Sequence, residues 1–383
     1  MNQAAPLSPI PFIDLGAQRR RIGAQMDEAI LRVVNHGAYV MGPEVPALEK
    51  ALGEFCGAKE VVSCASGDDA LLLILMAKQL KPGDAVLCPA FTFASTASVI
   101  VRAGGTPVFI DVHAETFNAD SRSLLQGIKS AKELGLNPVG VIPVDLFGQA
   151  ADYDAIEPIC AEHGLWMLSD AAQSFGGTYK QRKIGTIGFA TATSFFPAKP
   201  LGAYGDGGAI FTDDADLAVV LRSLRIHGQN VEDKYNNLRV GMTGRLDTIQ
   251  AAVLLQKLAI FQDEIEARNR IAARYNAGLA DIVDVPVIPD GLVSTWAQYT
   301  IRLRGADRTE IAAKLKAQGI PTAIYYPKPL HQQTAYKPYP IAGNGLPVSD
   351  RLANEVLSLP MHPYLEDAVQ DRIIDSLRSS LAG

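Results

Sequence analysis

Between residues 60 and 215 short apolar runs alternate with stretches of helical spacing, and no other feature limits the available folds so strongly. Glu60 to Ala65 reads as a strand, Ser66-Gly67 as a turn and Asp68 to Leu80 as an apolar helix. Ala85 to Cys88 is the next strand, about Ala94 to Ala103 a helix, and Pro107 to Asp111 a strand again. Val139 to Leu146, Tyr153 to His163 and Leu165 to Ser169 form another strand–helix–strand unit. Such alternation predicts an α/β fold with a mostly parallel sheet and helices on both faces. From Leu246 to about Ala280 a single helical pattern runs on, interrupted only by Gly278. A strand (Gln298 to Leu303), a helix (Thr309 to Gln318) and a last helix (Leu365 to Leu381) follow. The proline-rich stretches 321–347 and 360–363 read as ordered loops or linkers. The expected division is a large α/β domain over 1–250, then a linking helix and a smaller α+β C-terminal domain over 251–383.

The chain has 383 residues, 48% of them hydrophobic, which is enough for a large core and two domains. Its formal net charge is −6 and it has no long basic run, so nucleic-acid binding is not expected as its main task. The longest apolar run, Ala70 to Ala77, is far too short to span a bilayer. Met1 to Pro11 lacks the basic flank and apolar centre of a signal peptide, so the expected location is cytoplasmic, with no membrane partner. Cys56, Cys64, Cys88 and Cys160 form no CxxC pair and read as buried thiols. The six histidines are scattered, and no metal is expected.

Chemistry concentrates in Ser194-Phe-Phe-Pro-Ala-Lys199-Pro-Leu-Gly-Ala-Tyr-Gly-Asp-Gly-Gly208. Apolar runs enter and leave this loop, so it joins two strands. A lysine held there in apolar company is a candidate for a lowered pKa and Schiff-base chemistry. A surface lysine in a hairpin is the plain alternative. The glycines do not form GxGxxG and a strand follows them, which excludes a dinucleotide fingerprint. Asp170 ends the apolar run from Leu165, at the carboxyl end of a parallel strand, where open α/β sheets bind ligands. It could pair with the ring nitrogen of pyridoxal phosphate or serve as a cap or turn residue. Ser66-Gly67-Asp68 opens a helix and could hold a phosphate on backbone N–H groups, with Ser194 adding a hydroxyl. Phe91, just past a strand end, could stack on a flat ring or pack in the core.

In this order and spacing the motifs resemble those of the DegT/DnrJ/EryC1/StrS sugar aminotransferases, pyridoxal-phosphate enzymes of aspartate-aminotransferase fold (fold type I). The resemblance covers almost the whole chain. It includes Gly42-Pro-Glu-Val45, Ser66 to Leu71, Pro89 to Thr96, Asp145-Leu-Phe-Gly-Gln149, Ser169 to Gly176, the lysine loop, His227-Gly-Gln229, Gly244 to Ala252, Tyr325-Tyr-Pro327 and Ser358 to Tyr364. It implies that Lys199 is the Schiff-base lysine, Asp170 the pyridinium partner and Gln173 a neighbour of the ring oxygen. Ser194 with the Gly67 and Asp68 amides matches the phosphate cradle. Arg245 matches a residue supplied by a neighbouring subunit, which implies a homodimer with shared sites. Tyr326 and His331 fall in a loop lining the sugar-nucleotide pocket. The implied reaction passes an amino group from an amino acid, L-glutamate in this family, through pyridoxamine phosphate to a keto-sugar nucleotide. The C-terminal motifs look most like enzymes acting on UDP-linked 2-acetamido-3-keto-glucuronic acid derivatives. A 4-keto-6-deoxy-hexose nucleotide is the competing substrate, and a non-enzymatic regulator on this fold the competing role.

From the residues themselves, Arg245 could pair with a sugar carboxylate, hold a diphosphate or meet a structural aspartate. His331 could line the pocket or hold its loop. Two positions depart from the family pattern: Asp68 and Thr243 stand where most relatives have threonine and asparagine, both of which help hold the phosphate. A carboxylate beside a phosphate is unfavourable unless it turns away to cap its own helix. Weaker cofactor retention is therefore expected.

Overall fold

The computed structural model describes residues 10–230, 233, 235–303 and 305–382. Most of the N-terminal segment read above for targeting signals lies outside them. The central sheet has seven strands: β1 (Glu60–Cys64), β2 (Asp84–Pro89), β3 (Thr106–Ile110), β4 (Asn137–Val141), β5 (Trp166–Asp170), β6 (Ala190–Ser194) and β7 (Gly208–Thr212). Their order is β1-β7-β6-β5-β4-β2-β3. Strands β2 to β6 pair in parallel, and β7 lies antiparallel between β6 and β1. The reversal at β7 follows from its connection: a loop, with no crossover helix, turns β6 back on itself.

The helices around this sheet are α1 (Gly23–His36), α2 (Glu44–Cys56), α3 (Gly67–Lys78), α4 (Ser95–Arg102), α5 (Ser121–Glu133), α6 (Tyr153–His163), α7 (Ala215–Leu224) and α8 (Thr248–Leu279). In α3 the run Ala70 to Leu75 is buried throughout, as an apolar helix with no polar face must be. Helix α5 has no clear apolar stripe in the sequence. Its buried face includes Ser123, Gly127 and Ala131 beside Leu124 and Ile128, so small residues conceal the stripe. The strand expected over Val139 to Leu146 stops at Val141. Pro143 has no N–H for a ladder, and Leu146–Gly148 turns with Phe147 at φ 61°.

The C-terminal part holds β8 (Tyr299–Arg302) paired antiparallel with β9 (Val356–Leu359), and helices α9 (Arg308–Ala317), α10 (Pro347–Glu355) and α11 (Asp367–Ala382). Pro347 opens α10, where its fixed φ is compatible with a first helical turn. The long α8 belongs to two cores. Ala251, Leu254 and Phe261 pack with the large-sheet side, whereas Tyr275 and Leu279 pack with Tyr299, Ile301, Leu357 and Leu377.

Candidate active site

Strands β1, β5 and β6 bring their carboxyl ends, Cys64, Asp170 and Ser194, to one rim of the sheet. Gly208 of β7 starts at the same rim, in register with both Cys64 and Ser194. The rim is close-packed. A Cβ on Gly208 would stand 2.3 Å from the Ser66 carbonyl oxygen, and one on Gly67 would stand 2.6 Å from the Ser194 Cβ. Absent side chains at these two positions let the turn after β1 meet the end of β6.

Ser66 caps α3, its hydroxyl accepting from the Asp69 amide at 3.0 Å. The amides of Gly67 and Asp68 therefore stand in the first helical positions, where no preceding carbonyl reaches them. The Ser194 hydroxyl lies against Gly67 and accepts from the Phe196 amide at 3.3 Å, which leaves its own hydrogen to donate. Two backbone donors, a hydroxyl and the positive end of α3 make an anion cradle.

Asp170 is buried. Its Oδ2 accepts from the Thr96 hydroxyl at 2.9 Å and its Oδ1 from the Ala172 amide at 3.2 Å. Burial pushes its pKa up, while the Thr96 and Ala172 donors and the charge of Lys199 pull it back. Behind it Asp145, fully buried, accepts from the Tyr153 hydroxyl (2.6 Å), the Ser174 hydroxyl (2.6 Å) and the Ala151 amide (2.8 Å). Its amide donates to the Asp170 carbonyl at 3.0 Å, so this network fixes the backbone that aims Asp170. Burial raises Asp145 to about 6 despite these donors.

Lys199 sits half-buried in the loop between β6 and β7. Desolvation lowers its pKa to about 8, opposed by the attraction of Asp170. Helix α8 grips this loop from below. The buried Lys257 ammonium donates to the Gly202 carbonyl at 2.6 Å and stands 4.5 Å from the centre of the Tyr204 ring. Gln250 Oε1 accepts from the Tyr204 amide at 2.8 Å. Gln173 spans the other side: its Oε1 accepts from the Phe147 amide at 2.6 Å, and its Nε2 donates to the Tyr326 hydroxyl at 3.5 Å. Tyr326 thereby links the C-terminal loop to the end of β5.

Several expectations change. Phe91 has 0% exposure and packs against Phe117 and Tyr326 at ring distances of 6.5 and 6.3 Å. It has no free face for a flat ring. Phe93, two residues on, is 58% exposed and 6.2 Å from the Tyr326 ring. The expectation fell on Phe91, and burial moves the role of an available ring to Phe93. Asp68 does not cap its helix; Ser66 does, and the Asp68 carboxylate is ion-paired with Arg102. The Thr243 hydroxyl bonds His227 Nε2 at 3.0 Å, and among the described residues it has no bond to the cradle. Its neighbour Gly244 accepts from the Ala65 amide at 3.2 Å, which holds the 243–245 segment and half-buried Arg245 beside the end of β1. His331 Nε2 pairs with Asp350 Oδ1 at 3.0 Å, and its Nδ1 is buried without a partner among the described residues. Thr96 and Lys257 drew no notice as site residues in the sequence. Their roles rest on contacts with Asp170 and Gly202, 74 and 55 residues away. Among the described residues no cluster could hold a metal ion, and no helix is long and apolar enough to cross a membrane.

Pyridoxal phosphate needs an amine for its aldehyde, a carboxylate for its ring nitrogen and N–H donors for its phosphate, and this rim has all three. Fold and rim together place the protein among the pyridoxal-phosphate enzymes of aspartate-aminotransferase architecture. Comparison with known proteins narrows the class. The chain belongs to the DegT/DnrJ/EryC1/StrS aminotransferase family, whose description matches residues 20–378. It is 45% identical to the UDP-2-acetamido-2-deoxy-3-oxo-D-glucuronate aminotransferase of Pseudomonas aeruginosa, over 94% of this chain and 97% of that one. It is 37% identical to a protein of Geobacillus stearothermophilus named a pleiotropic regulatory protein, over 96% and 97%. A DegT DnrJ EryC1 StrS aminotransferase from Brucella abortus superposes with a TM-score of 0.95 at 52% identity, covering 98% of this chain and 100% of that one. A Bacillus subtilis protein solved with bound pyridoxamine phosphate superposes at 0.87 with 27% identity, covering 99% and 86%.

Proposed function

We propose that this aminotransferase moves an amino group from L-glutamate to a UDP-linked 2-acetamido-3-keto-glucuronic acid. The observation that carries the substrate is the 45% identity, across nearly the full length of both chains, to a protein named for that activity. The desolvated Lys199 facing Asp170 favours catalysis over a purely regulatory role.

Pyridoxal phosphate, when bound, supplies an aldehyde for the amino group and an electron-withdrawing ring. The protein's residues do the rest. Lys199 would hold the aldehyde through its amine and, when free, would take a proton from the donor's Cα and return it at C4′. With a pKa of about 8 it can serve as base and as acid near neutral pH. Asp170, aimed by Thr96, keeps a proton on the ring nitrogen. The Gly67 and Asp68 amides and the Ser194 hydroxyl hold the phosphate. Gln173 would stand by the ring oxygen, and the exposed Phe93 would cover the ring face. Tyr326 lines the sugar-nucleotide pocket, and His331, paired with Asp350, holds that loop in place.

Arg245 and Thr243 serve the neighbouring protomer's site in a homodimer. Exposed Tyr39, Val40 and Met41 support this. They adjoin the same segment through the Val40–Asp247 bridge, and an apolar patch of this kind marks an interface. A boundary near residue 250 suits the work: α8 grips the lysine loop while the C-terminal part carries Tyr326. The reaction is placed in the cytoplasm. The test is a turnover panel with glutamate and either the UDP-linked 3-keto uronate or dTDP-linked 4-keto-6-deoxy-hexoses. Turnover of the uronate, lost in Lys199→Ala, is expected; turnover of the deoxy-hexoses alone overturns the substrate assignment.

A further inference from the structure

Asp68 is the residue of the phosphate cradle that fits least well. Its amide is one of the two free donors of α3, yet its side chain adds a negative charge beside a site for a dianion. The structure pairs this carboxylate with the guanidinium of Arg102, the last residue of α4. The same short helix carries Thr96 in its first turn, where the hydroxyl donates to Asp170. Helix α4 thus contacts both working ends of the rim, the ring-nitrogen carboxylate through Thr96 and the phosphate cradle through Arg102. The reach of the Asp68 charge is visible in its neighbours. Burial is the main cause of the raised pKa of Asp69 and of Asp170; the Asp68 charge adds to both, and Arg102 opposes it at Asp69.

We propose that Arg102 is a cofactor-retention residue, which cancels the Asp68 charge so that the Gly67–Asp68–Ser194 cradle keeps its phosphate. The proposal rests on the pyridoxal-phosphate reading of the rim and goes beyond it. It also replaces the expectation of weak retention drawn from Asp68 alone, because the departure at position 68 comes with its own counter-charge. Arg102 acts through Asp68, so it is a positioning residue.

The test uses apo-protein titrated with pyridoxamine phosphate, which has no aldehyde and binds without Lys199. Arg102→Ala is expected to weaken Kd about tenfold, equivalent to about 1.4 kcal/mol. Asp68→Thr combined with Arg102→Ala should return to within about threefold of the parent, and Arg102→Lys, which keeps the charge, should do the same. Raising salt to 1 M, where the screening length is about 3 Å, should narrow the gap between Arg102→Ala and the parent. A role in helix packing alone would give neither the rescue nor the salt effect. Thermal melts of the apo-variants identify any that fail to fold, and Arg102→Met then replaces Arg102→Ala. Unchanged affinity in Arg102→Ala, or a double variant as weak as the single one, overturns the proposal. If the parent binds no pyridoxamine phosphate, and borohydride with pyridoxal phosphate adds no mass at Lys199, the cofactor reading itself fails and the proposal with it.

Discussion

The titration of Lys199 offers the sharpest test of the site, and Asp170→Asn is the perturbation that reads it. Desolvation takes the Lys199 pKa from 10.5 to about 8. That difference corresponds to about 3 kcal/mol against the charged form. At pH 8 about half of Lys199 is neutral, against about 0.3% of an ordinary lysine, so its acetylation should reach half of its own plateau about 2.5 pH units earlier than that of an exposed lysine. The assay is acetylation of apo-protein over a pH series, scored by mass spectrometry at Lys199. Lys129, whose side chain is 75% exposed, serves as the internal reference. Asp170 attracts the ammonium and so raises the Lys199 pKa. Replacing it with asparagine must therefore move the midpoint below 8, in the direction opposite to the loss of a merely structural contact that lets water in. A midpoint near 10.5 in the parent, or a rise in Asp170→Asn, would refute the arrangement. The same shift affects stability. Between pH 8 and 10.5 the unfolded chain holds this proton and the folded chain does not, so this group's contribution to stability improves as pH rises through that window.

Other outcomes follow from the packing. Phe91→Ala should cost about 3–5 kcal/mol in denaturant unfolding, because the ring is fully buried. Phe93→Ala should leave stability nearly unchanged and loosen the cofactor, and the reverse pattern would restore Phe91 as the stacking ring. Gly208→Ala drives a Cβ to 2.3 Å from the Ser66 carbonyl. Backbone must move, with an expected loss of about 1–3 kcal/mol and a cofactor Kd at least tenfold weaker by titration. Val240, 89% exposed in the protomer, stands just before Thr243 and Arg245 on the segment assigned to the partner's site, so Val240→Asp should leave the fold intact and shift light-scattering mass from dimer to monomer. An unaltered mass would remove that residue from the interface.

Much of this protein is legible in the chain because its signals are local. The apolar periods of Val61 to Leu80 and of Val86 to Ile110 require neighbouring residues only, and they define the parallel α/β layer. Lys199 between prolines and Asp170 at a strand end are likewise visible as types in place, and their order and spacing carry the family resemblance. Helix α5 escaped because Ser123, Gly127 and Ala131 suit close packing without looking apolar. Phe91 was the wrong ring to expect at the site: it and Phe93 lie on the same short turn after β2 and differ only in what covers them, 0% against 58% exposed, which neighbouring residues in the chain do not reveal.

The chain alone determined the class of fold, the lysine and its carboxylate, because short-range hydrophobic periodicity and single chemical groups survive in one dimension. The tertiary structure alone decided which partner each polar atom meets. Arg102 on Asp68, Thr96 on Asp170, Lys257 on Gly202 and Asp350 on His331 join residues 19 to 74 positions apart. Charge neutralisation and desolvation depend on distance in space, and that distance exists only once the helices have packed against the sheet.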